Sequence, residues 1–134
     1  KQGVENSYKS SDSINELNWH LKKENLELGN HVQKLLNMRR DHPAFRMFTA
    51  DQVSRNIAFD NKAPQGTIIY SIDGKAMNDN WKRIWVAFNG SDAEKNVGLP
   101  AGNWKTAINT EGNEPIHAGH MHLKKYSAIV LYEE

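Results

Sequence analysis

The sequence predicts a mainly β protein, an antiparallel β-sandwich that is preceded by a polar loop and an amphipathic helix. Segments with alternating apolar residues recur from residue 57 onward, and turns rich in Gly, Asn and Asp separate several of them. Between Leu28 and Leu36, in contrast, apolar residues recur at helical spacing, and this pattern stops before Pro43. Short antiparallel strands at such intervals favour a sandwich of about six to eight strands.

Length and composition allow one domain with a substantial core. The chain has 134 residues, 38% hydrophobic and 25% charged, and a formal charge of +1 without a long block of one sign. We therefore expect neither nucleic acid nor a membrane as a partner. The absence of cysteine excludes disulfides and thiolate metal sites but leaves the compartment open. Lys1 begins no signal peptide and is not Met, so we expect a processed or cut piece of a longer protein.

The segment up to Trp19 is polar and rich in residues that form turns and caps. Its sizeable apolar residues are Ile14, Leu17 and Trp19. Ser13 and Glu16 have the spacing of a capping box, which predicts a short helical turn over residues 14–17. A polar segment of this length is either a disordered tail or a functional loop, and its composition alone favours the tail.

An amphipathic helix is predicted from about Glu24 to Asp41. The apolar residues of its stripe are Leu28, Val32, Leu35 and Leu36. Gly29 weakens the helix by roughly 1 kcal/mol relative to Ala. Pro43 ends it, because proline cannot continue a helix and keeps His42 out of the α region.

A second helix and seven strands are predicted after Pro43. Thr49 and Gln52 have capping-box spacing, which predicts a short helix to about Asn56. The predicted strands are residues 57–59, 67–73, 83–89, 95–99, 104–109, 121–124 and 127–132. In the strand over residues 67–73, alternation places Ile68, Tyr70 and Ile72 on one face. In the strand over residues 83–89 it places Ile84, Val86 and Phe88 on one face, and Trp85 and Ala87 on the other.

Few residues suggest chemistry. His117, His120 and His122 could bind zinc, but Gly119 marks a turn among them, and we expect solvated histidines, no metal and no cofactor. Four tryptophans could form a sugar-stacking platform: Trp19, Trp81, Trp85 and Trp104. Of these, Trp85 and Trp104 fall in strand patterns and are expected in the core, whereas Trp81 precedes its strand and is free to be exposed. No catalytic set is evident, because nothing fixes the spacing of the two loop carboxylates, Glu5 and Asp12.

Two motifs carry a resemblance to a known family. The first is Gly3-Val4-Glu5-Asn6-Ser7-Tyr8-Lys9-Ser10 with Asp12-Ser13-Ile14-Asn15 and Trp19, and the second is Leu35-Leu36-Asn37-Met38-Arg39-Arg40-Asp41-His42-Pro43-Ala44-Phe45-Arg46. With these motifs the sequence resembles type I pullulanases, debranching enzymes of the α-amylase superfamily. It departs from the common family pattern at Ser11, where proline is usual, and at Leu17-Asn18, where an acidic residue often precedes the tryptophan.

The resemblance implies that residues 1–45 are the last loop and helix of a truncated catalytic β/α barrel and that residues 46–134 are a C-terminal β-sandwich domain. It also implies a fragment of a retaining glycoside hydrolase that cleaves α-1,6 linkages in branched α-glucans such as pullulan, starch and glycogen. The catalytic carboxylates of that superfamily lie on earlier strands, so we expect this chain alone to be inactive. The alternative function is a free-standing carbohydrate-binding or interaction module.

Residue roles also follow from the resemblance. Asn6 and Tyr8 are expected to line the substrate cleft or fix its wall, although they could equally only hold the turns of the loop. Arg39 falls within the apolar stripe of the helix, so its guanidinium is expected to contact a carboxylate or carbonyls of the barrel or the β domain, in a structural role. The helix stripe of Leu28, Val32, Leu35 and Leu36 would pack on the missing barrel, so the fragment is expected to self-associate through it or to have a poorly ordered N-terminal third.

Overall fold

A computed structural model describes residues 3–116 and 119–134, with only the backbone described at Pro115 and Ile116. The chain divides into two compact units, Lys1–Met38 and Arg39–Glu134, and the boundary falls inside the longest helix. The division into domains 1–45 and 46–134 remains a prediction. No helix in the described ranges is both long and apolar enough to cross a membrane.

Three helices form in the N-terminal part of the chain: α1 (Asp12–Asn15), α2 (His20–Glu24) and α3 (Leu26–Asp41). The helix predicted from about Glu24 to Asp41 is α3, which begins two residues later, whereas the preceding α2 was not predicted. Asn25 separates the two helices, and its side-chain amide donates to the Leu21 carbonyl (2.9 Å). The predicted capping by Ser13 is wrong, because α1 begins earlier and the Ser13 hydroxyl bonds the Ser11 hydroxyl instead (2.7 Å). The predicted end of α3 at Asp41 is confirmed.

The second unit begins with the C-terminal end of α3, followed by a 3₁₀ turn (Pro43–Phe45) and α4 (Ala50–Asn56). Helix α4 confirms the predicted capping box, because Thr49 Oγ1 accepts from Gln52 N (3.1 Å) and Gln52 Oε1 accepts from Thr49 N (3.3 Å). The strands are β1 (Ile57–Phe59), β2 (Thr67–Asp73), β3 (Arg83–Asn89), β4 (Lys95–Gly98), β5 (Lys105–Asn109), β6 (Glu114–Ile116), β7 (His120–Leu123) and β8 (Ser127–Glu133).

These strands form two antiparallel sheets, a five-stranded one in the order β1-β2-β3-β8-β5 and a three-stranded one in the order β4-β7-β6, which confirms the predicted sandwich. Seven strands lie close to their predicted positions. Strand β6 was not predicted, because Pro115 at its centre argues against a strand. Its position at a sheet edge explains why the proline is tolerated, since an edge strand leaves some N–H groups unpaired.

The core lies between the two sheets. Its buried side chains are Ile69, Trp85, Ala87, Val97, Met121, Leu123, Ile129 and Leu131, with Ala63, Leu99 and Trp104 packed against them. The predicted burial of Trp85 is therefore confirmed. Ile84 and Val86 point away from this core and are nevertheless buried, so β3 is covered on both faces.

Candidate functional site

The loop that carries the first motif is held together by hydrogen bonds from side chains to the backbone. Asn6 Oδ1 accepts from Tyr8 N (3.3 Å), which closes a turn. The amide of Asn15 donates to the carbonyls of Ser7 (2.9 Å) and Ser10 (3.0 Å). Such bonds let a segment without strand partners keep a defined course. The polar composition therefore builds an ordered loop.

Asn6 and Tyr8 lie on this loop with exposed side chains, and Tyr8 is 87% exposed. Together with Lys9 and Ser10 they line an open hollow of about 320 Å³. A tyrosine ring can stack on the apolar face of a sugar, and its hydroxyl can bond a sugar hydroxyl. Because Asn6 Oδ1 already holds the turn, its amide N–H groups are the part that could reach a ligand. Substrate contact by either residue remains a prediction.

Glu5 and Asp12 are the two carboxylates of the loop region, and the sequence predicts that they form no catalytic pair. Glu5 and Asp12 are both exposed, and no described residue forms an ion pair or side-chain hydrogen bond with either carboxylate. Retaining glycosidases hold two carboxyl groups about 5 to 5.5 Å apart on rigid elements. The hydrogen bonds described above for this loop do not involve either carboxylate, so the absence of a catalytic pair remains a prediction.

A second organised cluster follows α3, where the chain enters the β domain. Its residues are His42, Ala44, Asp79, Trp81 and Tyr132, and we call it the joint. The Asp79 side chain is 0% exposed and accepts from His42 Nδ1 (2.8 Å). It also accepts from the backbone N–H groups of Ala44 (3.0 Å) and Trp81 (2.8 Å). A buried carboxylate with three donors is fully satisfied, and it fixes the segment after α3 to the loop before β3.

Aromatic rings complete the joint. The Trp81 ring lies between the rings of His42, with centroids 3.5 Å apart, and Tyr132, with centroids 4.0 Å apart. Phe45 meets Trp81 edge-on at 6.3 Å. The hypothesis that Trp81 is available to stack on sugar is therefore wrong, because both faces of its ring are covered within the protein.

Arg39 contacts a backbone carbonyl, as its position in the apolar stripe of the helix predicts. Its guanidinium donates from Nη1 to the backbone carbonyl of Phe45, so it bonds the turn that follows the helix. The neighbouring Arg40 and Asp41 form an exposed ion pair at 2.8 Å, and the hydrogen bond from Arg40 lowers the pKa of the Asp41 carboxyl. Both arginines thus act near the helix end, where cationic groups are favourable.

The other tryptophans of the β domain offer no shared stacking face. Trp85 is in the core. Trp104 is half-buried, its Nε1 donates to the Pro100 carbonyl (2.6 Å), and the Arg83 guanidinium lies 4.9 Å from its ring centroid. In the N-terminal unit, Trp19 is exposed.

Two of the three clustered histidines lie on β7, where alternation puts His120 and His122 on the same face. Both ring nitrogens of His122 are engaged, Nδ1 with Asn96 Oδ1 (2.8 Å) and Nε2 with Glu94 Oε2 (3.0 Å). The hydrogen bond from Lys124 lowers the pKa of the Glu94 carboxyl most, and the hydrogen bond from His122 lowers it further. Within residues 3–116 and 119–134 no group of three metal-ligating side chains is suitably placed. His117 lies outside the described residues, so the expected absence of metal remains a prediction.

Asp79 is the central residue of the joint that the sequence does not single out. It lies in Asn78-Asp79-Asn80, which has the composition of an ordinary turn. Its partner His42 is 37 residues away, and no local pattern predicts that pairing. The only available signal is indirect: His42 lies in the conspicuous second motif and requires some acceptor for its ring N–H.

Comparisons with known proteins agree with this fold. Residues 53–112 match the family model of the pullulanase all-beta domain. The curated pullulanase of Bacillus subtilis (strain 168) is 36% identical over 100 residues, which are 75% of this chain and 14% of that protein.

Solved structures match over nearly the whole chain. A pullulanase from Anoxybacillus sp. LM18-11 complexed with maltotetraose superposes with a TM-score of 0.87 at 32% identity, over 100% of this chain and 19% of that one. A pullulanase from Paenibacillus barengoltzii in complex with maltohexaose and alpha-cyclodextrin gives a TM-score of 0.89 at 29% identity, over 98% of this chain and 20% of that one.

The chain thus combines an antiparallel β-sandwich with a preceding helix and polar loop, and 98 to 100% of it superposes on solved pullulanases. The chain belongs to the pullulanase family and corresponds to the C-terminal part of such a protein. It spans only 14% of the length of the curated relative and about 20% of that of the solved chains.

Proposed function

We propose that this chain is part of an enzyme that hydrolyses α-1,6 linkages in branched α-glucans such as pullulan, starch and glycogen. The observation that carries this proposal is the match of 98 to 100% of the chain to solved pullulanases that hold malto-oligosaccharides. The catalytic carboxylates are supplied by polypeptide outside this chain, since Glu5 and Asp12 are not held as a pair.

The chain itself contributes structure and a surface for contact. The joint holds the β domain to the end of α3, and the loop presents Tyr8 and Asn6 as part of the wall of the substrate cleft. Loops at the carboxyl ends of barrel strands build the active sites of barrel enzymes, which supports this role for the first motif.

We expect the chain alone to hydrolyse nothing. A reducing-sugar assay with pullulan should read as buffer, because no rigid carboxylate pair is present to attack and protonate the glycosidic bond. Glu5→Gln and Asp12→Asn should leave that reading unchanged. Turnover by the chain that disappears in either variant would refute the proposal.

In the longer protein, Tyr8→Ala or Asn6→Ala should lower kcat/KM for pullulan by the equivalent of about 1 to 3 kcal/mol, since each would lose a stacking or hydrogen-bonding contact with sugar. Tyr8→Phe distinguishes stacking from hydrogen bonding at Tyr8, because it retains the ring and removes the hydroxyl. Tyr126→Ala is the matched control, as Tyr126 is an exposed tyrosine of the β domain. Equal kinetics for the Tyr8 and Tyr126 variants would show that the loop residues only hold turns.

We also propose that the isolated chain self-associates through the helix stripe. Leu28, Val32, Leu35 and Leu36 are 36 to 62% exposed, and burial of such side chains is worth roughly 1.5 to 3 kcal/mol each. Sedimentation at increasing concentration should show a dimer that Leu28→Lys with Leu36→Lys abolishes. Gln33→Lys, on the polar side of the helix, should leave it intact. A monomer at every concentration would contradict this proposal.

The alternative of a free-standing carbohydrate-binding module loses its main support. An exposed Trp81 aligned with a second aromatic residue on one sheet face would have favoured it. Trp81 is instead stacked between His42 and Tyr132.

A further inference from the structure

A cleft of about 530 Å³ opens at one end of the five-stranded sheet, within the β domain. The residues that line it are Arg55, Asn56, Ala58, Ser71, Ile72, Asp73, Lys75, Lys82, Arg83, Ile84 and Trp104. Its volume lies within the roughly 300 to 1,000 Å³ of small-molecule sites. It is separate from the hollow beside Tyr8, with which it shares no residue.

The cleft forms where small side chains lie on a part of the sheet face that the second sheet does not cover. Ala58 and Ser71 are cross-strand partners of β1 and β2, and Ser71 is in turn paired with Trp85 of β3. These three side chains lie on the face that carries the core, but Ala58 is exposed and Ser71 half-buried whereas Trp85 is buried. The second sheet therefore does not cover the β1 side of this face, and small residues there leave a depression beside Trp104.

The lining combines an apolar floor with planar polar groups. Ala58 and Trp104 supply apolar surface, while Asn56, Arg55 and Asp73 supply an amide, a guanidinium and a carboxylate. A glucosyl unit has the complementary chemistry, with an apolar face of C–H groups and a rim of hydroxyls that donate and accept hydrogen bonds. Clefts that combine apolar contact with a few polar groups are the usual form of small-molecule sites.

Four cationic side chains line the cleft, Arg55, Lys75, Lys82 and Arg83, together with one carboxylate, that of Asp73. Arg55 is paired with Asp51 at 2.9 Å and Arg83 with Glu133 at 2.8 Å, so both guanidinium charges are already balanced. The Asp73 carboxylate offsets only one of the two remaining positive charges, those of Lys75 and Lys82, so competition by sulfate is part of the test. Paired guanidinium groups retain N–H donors for neutral hydroxyls.

We propose that this cleft binds a short α-glucan segment as a non-catalytic site of the β domain. The proposal rests on the proposed function, which supplies the α-glucan. In the longer enzyme such a site would hold a branch of a polymeric substrate while the reaction occurs elsewhere, and a second contact on one polymer increases its effective concentration.

The test is a titration of the whole chain with maltotetraose, followed by NMR through the indole N–H signals of the tryptophans. The signal of Trp104, whose N–H bonds the Pro100 carbonyl, should shift and saturate with a Kd on the order of 1 mM. Arg55→Ala should weaken binding at least fivefold. Arg40→Ala is the matched control, since Arg40 is also exposed and paired with an aspartate, but it does not line the cleft.

An unchanged Trp104 signal at tens of millimolar maltotetraose would overturn the inference, and so would displacement of the sugar by an equal concentration of sulfate. Equal binding by the Arg55 and Arg40 variants would likewise place the sugar outside the cleft. Pullulan hydrolysis by the longer protein, measured in parallel, separates the two claims. If hydrolysis occurs without binding at Trp104, the cleft inference fails and the proposed function stands. If binding occurs without hydrolysis, the inference is supported and the proposed function fails.

Discussion

Asp79→Ala is expected to lower the free energy of unfolding of the β domain by about 3 to 5 kcal/mol, because three donors lose one buried acceptor at a cost of roughly 1 to 3 kcal/mol each. The substitution leaves the His42 ring and the N–H groups of Ala44 and Trp81 without their shared acceptor. Each kcal/mol lowers the Tm of a domain of this size by about 4 to 8 °C. Thermal unfolding followed by near-UV circular dichroism should therefore show a loss of more than about 10 °C.

Asp92→Ala is the matched control, because Asp92 is exposed, and its effect should stay within about 0.5 kcal/mol. The loss in free energy of unfolding for Asp79→Asn should lie between those for Asp79→Ala and Asp92→Ala, since asparagine keeps the shape and one acceptor oxygen but loses the charge. If Asp79→Ala melts at the same temperature as Asp92→Ala, the joint does not hold the β domain to the segment after α3.

Gly74→Ala is expected to be nearly as damaging, for a steric reason. A Cβ atom at Gly74 would lie 1.8 Å from the carbonyl oxygen of Trp81 and 3.4 Å from Asp79 Cβ. The φ angle of Gly74 is an ordinary −72°, so the whole penalty comes from the displaced backbone of the joint. Overpacking of this kind costs about 1 to 3 kcal/mol and sometimes more, and chemical denaturation with tryptophan fluorescence would measure it.

Gly98→Ala provides the comparison. Gly98 is on β4, and nothing lies within 4 Å of the position of its added Cβ. Its substitution should be neutral or stabilising by up to about 1 kcal/mol, because alanine reduces the conformational freedom of the unfolded chain. Similar losses for both glycine variants would show that Gly74 is not constrained by Trp81.

The elements that could be predicted are those whose signal is local. Strands β2 and β3 have the predicted bounds because alternation and flanking turns define them within the segment itself. The N-terminus of α4 follows from a capping box only four residues long. Strand β6 escaped prediction because the tolerance of Pro115 depends on its position in the sheet.

The joint could not be predicted, because its residues are brought together only by the tertiary fold. His42 precedes a proline and Asp79 lies in a turn, and each has a sufficient local explanation without the other. Trp81 lies among polar residues in the sequence, yet its ring is covered by rings from two distant segments. The segment with Asn6 and Tyr8 is predicted to be a functional loop only through its resemblance to the pullulanase motif, because its composition alone favours a disordered tail.

The most direct test of the account is hydrolysis of pullulan by the protein extended upstream of Lys1, beside the chain alone. The extended protein should remove the anomeric proton signals of α-1,6 linkages while those of α-1,4 linkages persist, and the chain alone should change neither. Loss of α-1,4 signals first, or no hydrolysis by the extended protein, would contradict the assignment of this chain to an α-1,6-glucan hydrolase.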